Sequence, residues 1–150
     1  KVEDMINTVV RQIAFYEFER KVHTERRNGE LTSDQLGQFW LEVQAESLGP
    51  AVKLRDGYET FWTYIPHFIH SPFYVYAYAF GDCLVNSLYD VFKDGHEGFK
   101  GKYVEMLSAG GTLRHKDLLA PFGLDASDPA FWQRGLGVIS GFIDELEQSF

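Results

Sequence analysis

The sequence predicts an all-α fold, a multi-helix lobe with its helices packed as an orthogonal bundle. Three observations carry that expectation. Apolar residues recur at three- and four-residue spacing over most of the 150 positions, which is the period of a helix with a buried face. Capping residues, prolines and glycines fall at the ends of those periodic runs. No stretch alternates apolar with polar residues, as a half-buried strand would. With 45% hydrophobic and 16% aromatic residues, the chain can build a real core, and one helical domain over 1–150 is expected.

The first helix is expected from Val2 to about Arg27. Val2, Met5, Ile6, Val9, Ile13 and Tyr16 form one apolar face, and Val10, Ala14 and Phe18 form a second stripe, so this helix should be covered on more than one side. Arg26, Arg27, Asn28 and Gly29 signal its end, because cations suit the negative helix terminus and glycine permits the exit. Thr32 and Ser33 can cap a second helix that carries Leu36, Phe39, Trp40 and Val43 inward as far as about Leu48. From Gly49 to Ser71, Pro50, Gly57 and Pro66 separate a run of aromatic residues, predicting a loop with one short helix around Tyr58 to Tyr64.

Ser71-Pro72 supplies a cap and a first-turn proline for a third long helix, about Phe73 to Phe92. Asp82, Asn86 and Asp90 make a polar stripe along it, extended by Tyr74 and Tyr78 and expected to face water or a cleft. Further helices are expected near Glu97 to Leu107, around His115 to Leu119, and from Asp128-Pro129 onward, the last with Phe131, Leu136, Ile139, Phe142, Ile143 and Leu146 on its apolar face. No repeat or low-complexity segment interrupts this order.

Charge and cysteine content exclude several functions. Fourteen Lys and Arg against 22 Asp and Glu leave a net charge of −8, which disfavours a nucleic-acid partner, since phosphate binding needs clustered cations. Cys83 is the one cysteine, so no intramolecular disulfide can form, and a reducing, cytoplasmic location is expected. The longest apolar stretch, Phe73 to Phe80, is far short of the roughly 20 residues of a membrane helix, so no membrane association is expected. Lys1 stands where a Met would open a natural chain, and the sequence is expected to be a piece of something longer.

Few motifs carry chemistry alone. His96-Glu97 begins the zinc-peptidase pattern His-Glu-x-x-His, but Lys100 occupies the place of the second histidine. His67 and His70 are three residues apart and would share a metal only in a helical segment, which Pro66 and Pro72 oppose. In a helix Tyr76 points away from Tyr74 and Tyr78, since positions two apart diverge by about 200°. A phenol, with an ordinary pKa near 10, is a neutral donor suited to a developing oxyanion. The ordinary alternative for all three tyrosines is core packing. Cys83 lies in an apolar helix, where burial makes a thiol inert. Gly95, Gly98 and Gly101 lack the strand and the Lys-Ser/Thr of a phosphate loop.

The run from Tyr64 to Gly81, reading Tyr-Ile-Pro-His-Phe-Ile-His-Ser-Pro-Phe-Tyr-Val-Tyr-Ala-Tyr-Ala-Phe-Gly, resembles the substrate-binding segment of oligoendopeptidase F, a branch of the thimet oligopeptidase family. Val10 to Phe15 with Phe18-Glu19, the pattern Gly29-Glu30-Leu31-Thr32, and Met106 to Gly111 extend the likeness over nearly the whole chain. The resemblance implies the carboxy-terminal lobe of a zincin-like helical oligopeptidase, a zinc metalloendopeptidase acting on oligopeptides, whose His-Glu-x-x-His region lies upstream. It implies that zinc belongs to the full-length enzyme, that none is bound by this segment, and that the partner is the missing amino-terminal part of the same polypeptide. By position, His67 and Tyr76 match the family's catalytic residues, and His67, Tyr74 and Tyr76 its substrate-binding residues. His70 matches no family role. The segment alone is expected to be inactive and to self-associate through apolar surface. The rival from another class is a stand-alone helical domain that binds peptides or proteins without catalysis.

Overall fold

A computed structural model describes residues 2–149, and every regular element among them is helical. The first predicted helix is a continuous run of α1 (Val2–Ile6), a π-helical stretch (Asn7–Arg11), α2 (Gln12–Glu25) and a 3₁₀ turn (Arg26–Asn28). α3 (Ser33–Leu48) follows, then a 3₁₀ helix (Tyr58–Tyr64), α4 (His67–His70), α5 (Tyr76–Lys93), α6 (Phe99–Ala109), α7 (His115–Leu119) with a 3₁₀ turn (Ala120–Phe122), and α8 (Pro129–Glu147). Contacts divide the described residues into two compact units, 6–80 and 81–149 with 2–5.

Local chemistry explains most of these boundaries. Thr32 closes a capping box on α3, its side chain accepting from Gln35 N–H while the Gln35 side chain accepts from Thr32 N–H, which satisfies two donors that the helix itself cannot. Asp128 caps α8 by accepting from Ala130 N–H, with Pro129 in the first turn. The π-helical stretch corrects the expected face of the first helix. Met5 and Val9 are buried as predicted, but Ile13 is 47% exposed, and the buried set continues at Ala14, Phe15 and Phe18. Bonds of the i→i+5 type take in one extra residue, so the downstream positions are rotated by about 100°.

The unit 6–80 has an aromatic core of Ala14, Phe15, Phe18, Trp40, Val43, Ile65 and Val75. Trp40 is 1% exposed. Four rings surround its indole, with centroids at 5.3 Å for Phe18, 5.5 Å for Phe15, 6.0 Å for Tyr58 and 6.4 Å for Phe68. α3 approaches the 3₁₀ helix closely at Gly37, where a β-carbon would stand 3.1 Å from the carbonyl oxygen of Glu59.

The second unit packs Leu88, Val91, Leu119, Phe122, Leu124 and Phe131 together. Its α5 and α8 meet at Gly135, where a β-carbon would lie 2.6 Å from the carbonyl oxygen of Cys83. Ser87 donates to the Phe131 carbonyl at 2.9 Å beside that contact. The polar stripe of α5 is therefore largely a packing device. Asn86 is buried and donates to Asp82 at 3.0 Å, while Asp90 and Asp94 both receive Arg134 of α8, at 2.8 and 3.0 Å. Desolvation raises the Asp82 carboxyl above its ordinary pKa and, more than the nearby Asp82 charge, raises the Cys83 thiol.

Candidate functional site

The histidine and tyrosine segment lies wholly within the unit 6–80. Pro66 precedes α4 with φ −65°, an angle its ring enforces and a helix accepts at its start. His70 N–H donates to the Pro66 carbonyl at 2.9 Å and Ser71 N–H to that of His67 at 3.0 Å, closing a single turn. The two prolines therefore bound a short helix, where the sequence argued against a regular one.

α5 begins at Tyr76, three residues after the predicted start. Ser71-Pro72-Phe73-Tyr74 forms a turn, with Tyr74 N–H donating to the Ser71 carbonyl at 3.2 Å. Phe73 has φ +60°, and it is the one positive-φ residue other than glycine among the described residues. Proline second and a positive φ third is the pattern of a type II turn, whose third residue is ordinarily Gly or Asn. A tertiary contact accounts for the exception, since Phe73 N–H donates to Glu19 Oε1 at 2.7 Å and the Phe73 ring lies 4.6 Å from that of His23. That long-range bond overrides the Ser-Pro signal for a helix start.

The turn and the first turns of α5 gather three residues. His67 Nε2 lies 3.1 Å from the Tyr78 hydroxyl, with the direction of the hydrogen bond following the imidazole tautomer. Tyr74 stacks parallel to His67, the centroids 6.2 Å apart, and meets Tyr78 edge-on at 5.5 Å. Tyr76 stands apart from this cluster. It is 54% exposed and its ring sits edge-on to Tyr16 at 6.5 Å, on the divergent side that helical geometry predicts. Of the site residues expected from sequence, the structure thus brings His67 and Tyr74 together and leaves Tyr76 separate. Tyr78 joins the cluster instead, for which the four-residue spacing from Tyr74 was the available signal. Glu19 had a signal too, because it occupies a core position in the series Phe15, Phe18, Glu19, Val22.

Residues 1–138 match the sequence profile of peptidase family M3. The chain belongs to that family. Among its relatives, oligoendopeptidase F (plasmid) of Lactococcus lactis subsp. cremoris is 32% identical over 94% of this chain and 24% of its own length. Oligopeptidase PepF of Bacillus subtilis is 29% identical over 98% of this chain and 22% of its own. The crystal structure of a candidate peptidase from Chlamydophila abortus superposes with a TM-score of 0.86 at 26% identity, covering 98% of this chain and 25% of that one. This M3 chain spans about a quarter of the length of the relatives it matches.

Peptidase family M3 is generally zinc-dependent. Among the described residues, no three His, Cys, Asp or Glu side chains come together to hold a metal ion. His67 and His70 share the α4 turn but gain no third ligand there. The described residues of this M3 segment do not fit a zinc site.

Proposed function

We propose that this chain is the substrate-binding and oxyanion-stabilising carboxy-terminal part of a zinc metalloendopeptidase that hydrolyses oligopeptides. The observation that supports this most directly is the His67, Tyr74 and Tyr78 cluster, in which a ring-stacked imidazole is held by a phenol at 3.1 Å. Such a group offers hydrogen bonds and flat apolar surface to an uncharged peptide backbone. In this reading His67 holds a backbone amide of the substrate, Tyr74 flanks it, and Tyr78 fixes the imidazole's orientation. Tyr76, a half-exposed phenol on the first turn of the same helix, donates to the oxyanion that develops as the scissile carbonyl is attacked.

The zinc ligands and the general base belong to the preceding part of the same polypeptide, so the segment is inactive by itself. Its location in this reading is the cytoplasm, in keeping with a buried, unpaired Cys83. Alone, the segment self-associates through apolar surface such as the groove of about 490 Å³ lined by Val85, Tyr89, Phe92, Phe99 and Val104. Sedimentation of the isolated segment should show a weight-average mass that rises with concentration, and a monomer at all concentrations would count against it.

The deciding experiment is Tyr76→Phe in the whole protein, assayed on an internally quenched oligopeptide. A loss of about 10²- to 10³-fold in kcat, the usual effect of removing one oxyanion donor, is expected. A kcat within about threefold of the parent value would reduce Tyr76 to a packing residue. Activity should also be abolished by a chelator and restored by Zn²⁺. Peptide binding that ignores the chelator, without hydrolysis, would favour the non-catalytic interaction domain.

A further inference from the structure

Glu19 is the most unusual buried group in the unit 6–80. It is 2% exposed, a carboxyl-bearing side chain buried in the unit that is built around an aromatic core. Oε1 accepts from Phe73 N–H at 2.7 Å, and Oε2 has no hydrogen-bond partner. Burying a carboxyl group with one of its two oxygens unpartnered is costly, and an apolar residue of similar volume would pack the site at less cost. One product of the arrangement is visible: the hydrogen bond to Phe73, a residue in a backbone conformation that L side chains rarely adopt.

We infer that Glu19 is a positioning residue for the candidate site, holding the strained turn at Phe73 so that Tyr74, Tyr76 and Tyr78 leave it in the correct directions. Without an acceptor for its N–H, Phe73 can relax to negative φ, and Ser71-Pro72 then becomes the helix start that the sequence itself advertises. Extending α5 backward would remove the turn that joins α4 to α5, and His67 would lose its place against Tyr74 and Tyr78. The His23 ring, 4.6 Å from that of Phe73, restrains the same residue from the other end of its side chain. This role rests on the proposed function only for its effect on catalysis. The coupling from Glu19 through Phe73 to His67 is a structural claim that stands separately.

The test compares Glu19→Gln with Glu19→Leu in the whole protein. Both substitutions keep the volume near that of Glu, but Gln keeps an oxygen for Phe73 N–H and Leu does not. Two readouts are taken: kcat and KM on an oligopeptide, and the NMR ring chemical shifts of His67, which report its stack with Tyr74 and its pairing with Tyr78 without catalysis. Glu19→Gln should stay within about threefold of the parent in kcat, whereas Glu19→Leu should lose about 10- to 100-fold in kcat, the scale of a small misplacement of catalytic groups. Its His67 ring shifts should move as well. Equal behaviour of the two variants in both readouts would overturn the inference.

If Glu19→Leu does not fold, Phe73→Gly is added, because glycine holds a positive φ unaided. Recovery of the fold and of the parent His67 ring shifts supports the inference, and failure to recover overturns it. Should Glu19→Leu displace the His67 ring shifts while His67→Ala and Tyr76→Phe leave hydrolysis unchanged, the proposed function falls and the positioning role survives.

Discussion

The two units use polar groups in opposite ways. In 81–149 the buried and half-buried polar side chains are matched: Ser87 donates to the Phe131 carbonyl, Asn86 to Asp82, the Trp132 indole to the Ala126 carbonyl, and Arg134 to two carboxylates. In 6–80 the core contains polar atoms with no partner at Gln12 Oε1, Glu19 Oε2, Trp40 Nε1 and Gln44 Nε2, along with the strained backbone of Phe73. All four unmatched atoms found among the described residues fall in the unit that carries the histidine and tyrosine cluster. Strain and unmet hydrogen bonding concentrate where function competes with stability. The contrast supports the placement of the site.

Substitutions can break or sharpen that contrast. The largest effect is expected from Gly135→Ala, since its β-carbon would meet the Cys83 carbonyl at 2.6 Å; a loss of about 3 kcal/mol, the upper end for overpacking, should appear in thermal or denaturant unfolding. Gly37→Ala in the other unit meets Glu59 at 3.1 Å and should cost about 1 kcal/mol. Equal losses would show the two close approaches to be equally rigid.

Next in size is Ser87→Ala, which leaves the Phe131 carbonyl without its hydroxyl donor and should cost about 1–2 kcal/mol. Gln44→Met, which removes an unmatched amide nitrogen along with a 3.3 Å contact from the Tyr58 hydroxyl, should cost under about 1 kcal/mol. A Gln44→Met penalty larger than that of Ser87→Ala would erase the distinction drawn here.

The smallest effect concerns pH. Burial raises the Asp82 pKa in the folded state, so the folded protein holds this proton more tightly than the unfolded chain does. Stability from Asp82 is present at acid pH and is lost as pH rises from the unfolded carboxylate value, about 4, through the raised folded value. Asp82→Asn should therefore stabilise the protein slightly at neutral pH and not below about pH 3. A gain of equal size at both pH values would assign the effect to something other than ionisation.

The helical class and most helix ends were legible because caps and apolar periodicity are local. Thr32 closing its box with Gln35 and Asp128 ahead of Pro129 needed no tertiary information. Three features were not legible for the same reason. The π-helical stretch at Asn7–Arg11 moved burial from Ile13 to Ala14 and Phe15, and no short motif encodes an i→i+5 bond. The start of α5 depended on Glu19, which is 54 positions from Phe73. The α5 polar stripe found its partner, Arg134, on α8. At the candidate site, the divergence of Tyr76 from Tyr78 followed from helix geometry, whereas the place of Tyr74 and the pairing of His67 with Tyr78 required the intervening turn to be known.

Trp40 gives the unit 6–80 a built-in optical probe. Enclosed by four rings and shut off from water, its indole is in a nonpolar, rigid setting and should emit at short wavelength with a narrow band. Trp132 differs, because it is partly exposed and its N–H is engaged by a backbone carbonyl. In a Trp62→Phe background, which removes the half-buried third tryptophan of the same unit, loosening of the aromatic core would register as a red shift of the blue edge of the emission. Opening around Trp40 can thus be followed in unlabelled protein.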